Sequence, residues 1–171
     1  MCATYKQDFF VSWEELHRDT RQLCQMLLRD PAYPFEGIIA VTRGGLIPAA
    51  IVARELDIRL IDTVCIASYE GTEARERSEN LRLIKPAAGD GQGMLLVDDL
   101  VDTGATATRL REMLPHATFA TVYAKPEGRA QVDHCVRTVT QDTWIRFPWD
   151  MELSFAPPLI EQEQRHRPPT P

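Results

Sequence analysis

Apolar positions along this chain follow two alternating rhythms. Trp13, Leu16, Thr20, Leu23, Cys24 and Leu27 recur at helical spacing, which predicts an amphipathic helix with that stripe in a core. Ser12 can cap this helix, with Glu15 three positions on as its reciprocal partner. Pro31 and Pro34 end it, and Gly37 leads into an unbroken apolar run at 38–41, as expected of a strand buried on both faces. A helix through about Leu56 follows, with Pro48 in its first turn. A strand at 59–68 comes next, then a polar stretch at 69–85 that reads as an exposed helix or a mobile loop. An apolar run at 94–97, a helix at 105–114 stopped by Pro115 and a strand at 119–124 complete the series. Strands and helices alternating at these lengths predict an α/β chain with a doubly wound parallel sheet and helices on both faces. Past 124 the rhythm changes. Strand-like pieces at 136–139 and 144–147, with the turn Pro148-Trp149-Asp150, suit a small cap, or hood, over the carboxyl edge of the sheet. There is no internal repeat.

With 171 residues, 44% of them hydrophobic, one domain with a substantial core is expected. We expect it over residues 1–160, with a polar, Pro-rich and disordered tail at 161–171. The net charge of -6 argues against a general nucleic-acid binder, which needs a basic footprint. An anionic ligand would have to be held locally, by backbone amides, a few cations or a metal ion. Cys2, Cys24, Cys65 and Cys135 have no paired spacing, so neither a zinc site nor a disulfide framework is indicated. No apolar run approaches the roughly 20 residues of a membrane span, and no leader-like start is present, so an intracellular soluble protein is expected.

The densest chemistry lies at 95–107, Leu-Leu-Val-Asp-Asp-Leu-Val-Asp-Thr-Gly-Ala-Thr-Ala. An apolar strand runs into Asp98 and Asp99, placed where the strand ends and able to accept from sugar hydroxyls or hold a hard cation. Thr103, Gly104, Ala105 and Thr106 then form a small-residue loop at a helix N-terminus, suited to wrap a phosphate. Three carboxylates within five residues repel one another unless something cationic offsets them. A second anion-site candidate is Thr42-Arg43-Gly44-Gly45, where glycines permit close backbone approach and Arg43 offers a fork of donors.

These two loops together resemble the type I phosphoribosyltransferases, in which a pair of acidic residues closes a strand and a Thr-Gly-x-Thr loop follows. The likeness runs from about Val11 to Pro158 and is strongest to the purine branch of the family that takes xanthine and guanine. It is carried by Gly-Ile-Ile-Ala-Val-Thr-Arg-Gly-Gly-Leu from Gly37, Asp-Thr-Val-Cys-Ile-Ala-Ser-Tyr from Asp62, Ala-Lys-Pro-Glu-Gly-Arg from Ala124 and Gln-Asp-Thr-Trp-Ile-Arg-Phe-Pro-Trp-Asp-Met from Gln141. The resemblance implies the type I fold and transfer of ribose 5-phosphate from phosphoribosyl pyrophosphate to a 6-oxopurine base. Arg43 and Gly44 would bind pyrophosphate, Asp98 and Asp99 the ribose hydroxyls and magnesium, with Asp99 the better ligand. Residues Asp102, Thr103, Gly104, Ala105 and Thr106 would hold the 5'-phosphate. Asp102 would also face purine N7 as a catalytic base, Lys125 would donate to O6, Trp144 would stack on the ring and Ile145 would meet its exocyclic edge. From position alone, Lys125 could equally be a strand-end lysine in solvent and Trp144 a core residue. Asp150 reaches the metal or the 2-substituent in this scheme. In the 69–85 stretch the family's catalytic loop arginine matches Arg75, with Arg77 as a rival. The resemblance further implies a homo-oligomer, usually a tetramer, in the cytoplasm. Some similar enzymes attach to the inner membrane face, although no basic amphipathic segment here predicts it.

Two other classes compete. A regulator that binds the same ligands without turnover would lack Asp102 or the loop arginines. A kinase of the common loop type needs Gly-x-x-x-x-Gly-Lys-Ser/Thr, which is absent. A phosphatase using an aspartyl phosphate would leave the Arg43 loop and the Trp144 segment unexplained.

Overall fold

The computed structural model describes residues 5–68 and 81–150. It opens with a strand that the apolar pattern did not reveal, β1 (Gln7–Phe10), followed by α1 (Trp13–Leu27). The capping box forms as expected: Glu15 N donates to Ser12 Oγ at 3.1 Å, and Ser12 N donates to Glu15 Oε2 at 3.0 Å. Leu16, Thr20, Leu23, Cys24 and Leu27 are buried along one face of α1. Trp13 departs from that stripe: it is exposed, with its ring 6.2 Å from that of Trp149.

The main sheet follows as β2 (Gly37–Thr42), β3 (Ile61–Ser68), β4 (Leu81–Lys85), β5 (Met94–Val101), β6 (Thr118–Ala124) and β7 (His134–Thr138). Helix α2 (Leu46–Glu55) joins β2 to β3, and α3 (Ala105–Met113) joins β5 to β6. The spatial order is β4-β3-β2-β5-β6-β7. All pairs are parallel except β3 with β4. The 69–85 stretch therefore ends in an antiparallel edge strand rather than continuing as helix or loop to Lys85. Its short Leu-Arg-Leu-Ile-Lys run is too charged to read as a core strand.

Side chains alternate between the two faces of the sheet. Ile38, Ala40, Leu95, Val97, Ala120 and Val122 pack with buried residues of α1 and α2. Ile39, Val41, Leu96 and Phe119 pack with Ala107 and Leu110 of α3. Asp19 of α1 is buried, and it is satisfied from several sides: Tyr123 Oη donates to it at 2.9 Å, while Arg18 and Arg137 approach at 2.9 and 3.4 Å. Burial, then the Asp19 charge, pushes the Tyr123 phenol well above its ordinary value.

The segment expected to form the cap divides in two. The piece anticipated at 136–139 is β7, the sixth strand of the main sheet. The second piece is β8 (Thr143–Arg146), which pairs in parallel with β1 to make a separate two-stranded sheet. The tail at 161–171 and Cys2 lie outside the described residues. Among the described residues, Cys24, Cys65 and Cys135 are free thiols, and no helix is long and apolar enough to cross a membrane.

Replacing Ser12 with Ala removes the α1 cap and should lower stability by about 1 kcal/mol. Chemical denaturation of the two proteins, with the midpoint shifted at unchanged slope, checks this.

Candidate active site

The order in which strands are laid down reverses between the parallel neighbours β2 and β5: the path leaves β2 toward β3 and β4, then returns to lay β5 on the other side of β2. In open α/β sheets the crevice beyond the carboxyl ends of two such strands is where ligands bind. Arg43 and Gly44 follow β2, and Asp98 and Asp99 lie near the end of β5. The two aspartates do not leave the strand as expected. β5 continues to Val101 because β6 pairs with it beyond the point where β2 stops.

The loop after β2 presses against β5 at a distance only glycine permits. A Cβ on Gly44 would stand 2.2 Å from Asp99 Oδ2, and one on Gly45 would stand 2.4 Å from Val97 O. The glycine pair thus makes room for the neighbouring strand, in addition to any ligand. The Thr42–Arg43 peptide in this loop is cis. Beside it opens a cleft of about 800 Å³, with Arg43, Gly44, Cys65, Asp99, Trp149 and Asp150 among its walls.

Asp98 and Asp99 sit in an electrostatic position that invites a cation. Asp99 N donates to Asp98 Oδ1 at 2.9 Å, and Leu100 N donates to Asp99 Oδ1 at 2.7 Å. Burial pushes the Asp99 carboxyl up to about 6, with the Asp150 charge adding to the rise. Burial and the adjoining Asp99 charge hold Asp98 well above the ordinary range. Among the described residues, no three His, Cys, Asp or Glu side chains gather into a metal cage.

Past β5 the chain turns at Gly104, whose φ of +87° is open to glycine at little cost. Thr103, Gly104, Ala105 and Thr106 line a hollow of about 140 Å³ at the N-terminus of α3, together with Asp98 and Asp102. Gly128 backs this turn: a Cβ there would lie 2.7 Å from Asp102 O and 3.0 Å from Gly104 N.

Asp102 is held on both carboxylate oxygens. Lys125 Nζ donates to its Oδ2 at 2.9 Å, and Gln141 Nε2 donates to its Oδ1 at 2.9 Å. Lys125 is 1% exposed, which disposes of the solvent alternative. Trp144 is 41% exposed, so it is no core residue, and it meets Tyr5 edge to face. Ile145 is buried in the cluster with α1 and α2, so its side chain is part of the core. Arg75 and Arg77 lie outside the described residues. Gln141 and Gly128 were not singled out from the sequence, although both stand within segments quoted there. Tyr5 carried no signal, because its role depends on the β1–β8 pairing.

The model of the phosphoribosyl transferase domain family matches residues 12–156. The chain belongs to that family. The xanthine-guanine phosphoribosyltransferase of Chromohalobacter salexigens is 57% identical over 159 residues, covering 92% of this chain and 93% of that one. The enzyme of the same name from Desulfotalea psychrophila is 55% identical, covering 96% and 100%. Among solved structures, a purine phosphoribosyltransferase from Pyrococcus horikoshii superposes with a TM-score of 0.69 at 27% identity, covering 85% of this chain and 95% of that one. The fold of this phosphoribosyltransferase is therefore the type I fold expected from the sequence, with one antiparallel edge strand.

The raised Asp99 carboxyl gives a pH signature. The folded protein keeps a proton that the unfolded chain releases near the ordinary 3.8. Without metal, stability should therefore fall as pH rises from about 4 through about 6. Thermal unfolding across that window checks this, and Asp99→Asn should lessen the fall while leaving the part owed to the burial of Asp98.

Proposed function

We propose that this chain is a purine-salvage phosphoribosyltransferase that moves ribose 5-phosphate from phosphoribosyl pyrophosphate to xanthine, guanine or hypoxanthine, releasing pyrophosphate. The observation that carries the reading is the Asp102–Lys125 pair, beside an exposed indole and adjoining the hollow at α3. Relatives more than 50% identical along nearly the whole chain bear the name xanthine-guanine phosphoribosyltransferase.

On this reading the amides of Thr103–Thr106 and the N-terminus of α3 bind the 5'-phosphate. Arg43 and the Gly44 amide engage pyrophosphate, and Asp98 and Asp99 take the ribose hydroxyls. Asp99, with Asp150 on the same cleft, suits magnesium, which usually takes one or two carboxylates and completes its shell with substrate oxygens. Bound there, the ion would neutralise charge on the leaving pyrophosphate. Lys125 donates to the purine 6-oxo group, Trp144 offers a stacking face, and the backbone at Ile145 meets the exocyclic edge. Asp102 accepts the N7 proton as the base becomes a nucleophile. Its carboxylate is already oriented by Lys125 and Gln141, so little reorganisation is needed when charge develops.

A homo-oligomer, as a tetramer, accompanies this reading. It is supported by the exposed apolar residues Leu60 and Ile61 at the start of β3 and Leu83 and Ile84 of β4. A cytoplasmic location is supported by the free thiols, which persist in a reducing compartment.

The protein should form nucleotide when incubated with phosphoribosyl pyrophosphate, magnesium and each 6-oxopurine in turn. Asp102→Ala should lower kcat by roughly 10²- to 10⁴-fold, the usual share of general-base catalysis. Donor binding without turnover on any base would sink the enzyme reading.

A further inference from the structure

Tyr5 stands ahead of β1 and ahead of the 12–156 stretch matched by the family. It is held in place from behind: Lys6 N donates to Asp142 O at 2.8 Å, and Asp8 pairs with Trp144 across the β1–β8 ladder. That anchorage delivers the phenol to the three groups assigned above to the purine. Tyr5 Oη donates to Asp102 Oδ2 at 3.3 Å. Lys125 Nζ lies 4.5 Å from the centre of the Tyr5 ring. The Trp144 indole meets that ring with centroids 4.8 Å apart and planes at 66°. Aromatic rings in direct contact sit about 4.5–7 Å apart, so no third ring fits between these two. A planar group that touches the indole, lies by the ammonium and engages Asp102 is what the site would take as its acceptor base.

We propose that Tyr5 is a built-in occupant of the acceptor-base subsite: a purine enters when the Tyr5 side chain swings out, and Tyr5 thereby sets the apparent affinity for the base. The inference rests on the base-site reading given under the proposed function. The three contacts named above are each modest: a neutral donor to a carboxylate at 3.3 Å, a cation–ring contact and a ring edge. The occupant is therefore displaceable. Lys125 keeps its pairing with Asp102 after Tyr5 leaves, so no buried charge loses its partner. The cleft lined by Arg43, Gly44 and Asp99 does not include Tyr5, so competition should act on the base and spare the donor. A site blocked part of the time weakens apparent binding in proportion to the blocked fraction.

The test is steady-state kinetics of the full chain with guanine and with xanthine at saturating phosphoribosyl pyrophosphate and magnesium, comparing the unsubstituted protein, Tyr5→Ala and Tyr5→Phe. The KM for base should fall about three- to tenfold in Tyr5→Ala and by less in Tyr5→Phe, which keeps the ring and loses the hydroxyl. The KM for donor should hold. A base KM that is unchanged or raised in Tyr5→Ala, while the unsubstituted protein turns over, overturns the occupant and leaves the enzyme reading intact. No turnover by the unsubstituted protein with any 6-oxopurine overturns both.

Discussion

A buried ammonium requires a counter-charge, and Lys125 shapes the site through that requirement. It meets Asp102 at 2.9 Å from a position 1% exposed. Its own backbone N–H donates to Val101 O at 2.8 Å, so the ends of β5 and β6 are fastened twice within a few residues. Removing one partner of such a pair leaves a charge stranded in low dielectric, typically at a cost of about 3–5 kcal/mol. The same constraint makes Asp102 a fixed group. A carboxylate held by Lys125 on one oxygen and Gln141 on the other cannot rotate freely, and catalysis gains from dipoles and charges already in place.

Around that fastening, the turn of the sheet at β2 and β5 divides the labour. Arg43 and Gly44 come from one strand end and Asp99 from the other, and the absence of side chains at Gly44 and Gly45 lets the two approach closely. The acidic pair is poised unfavourably when alone, as the raised Asp98 and Asp99 carboxyls indicate. A divalent cation would convert that unfavourable arrangement into binding energy. The donor side and the base side are thus built from different strand ends, with Asp102 adjoining both.

The residues legible in the sequence are those whose chemistry is local. Asp98 to Thr106 occupy nine consecutive positions, and Arg43 and Gly44 follow an unmistakable core strand, so spacing alone groups them. Ser12 and Glu15 are equally local, and their capping box forms as read. What escapes the sequence depends on pairing between distant segments. β1 is four residues of mixed polarity, QDFF, and is a strand only because β8 lies beside it. Gln141 and Tyr5 acquire their contacts with Asp102 through the same association. Lys125 illustrates the limit at a single position: one lysine at a strand end reads the same whether it faces water or an aspartate, and only the three-dimensional neighbourhood decides. Trp13 errs the other way, fitting the apolar stripe of α1 while lying outside the core.

The β1–β8 ladder also bears on how the molecule comes into being. Gln7 bonds to Thr143 across 136 positions of sequence, whereas β2, β5 and β6 can associate with much shorter loops between them. On a ribosome β2 to β6, the Arg43 loop and the α3 turn can condense while the last quarter of the chain is still being added, since domains form progressively during synthesis. The acceptor side has no such early start. It must wait for Gln141 and Trp144 to emerge and for the first strand, made long before, to find them, a closure whose entropy rises with loop length. A nascent chain would therefore have a formed donor cradle before it has any place to put a base.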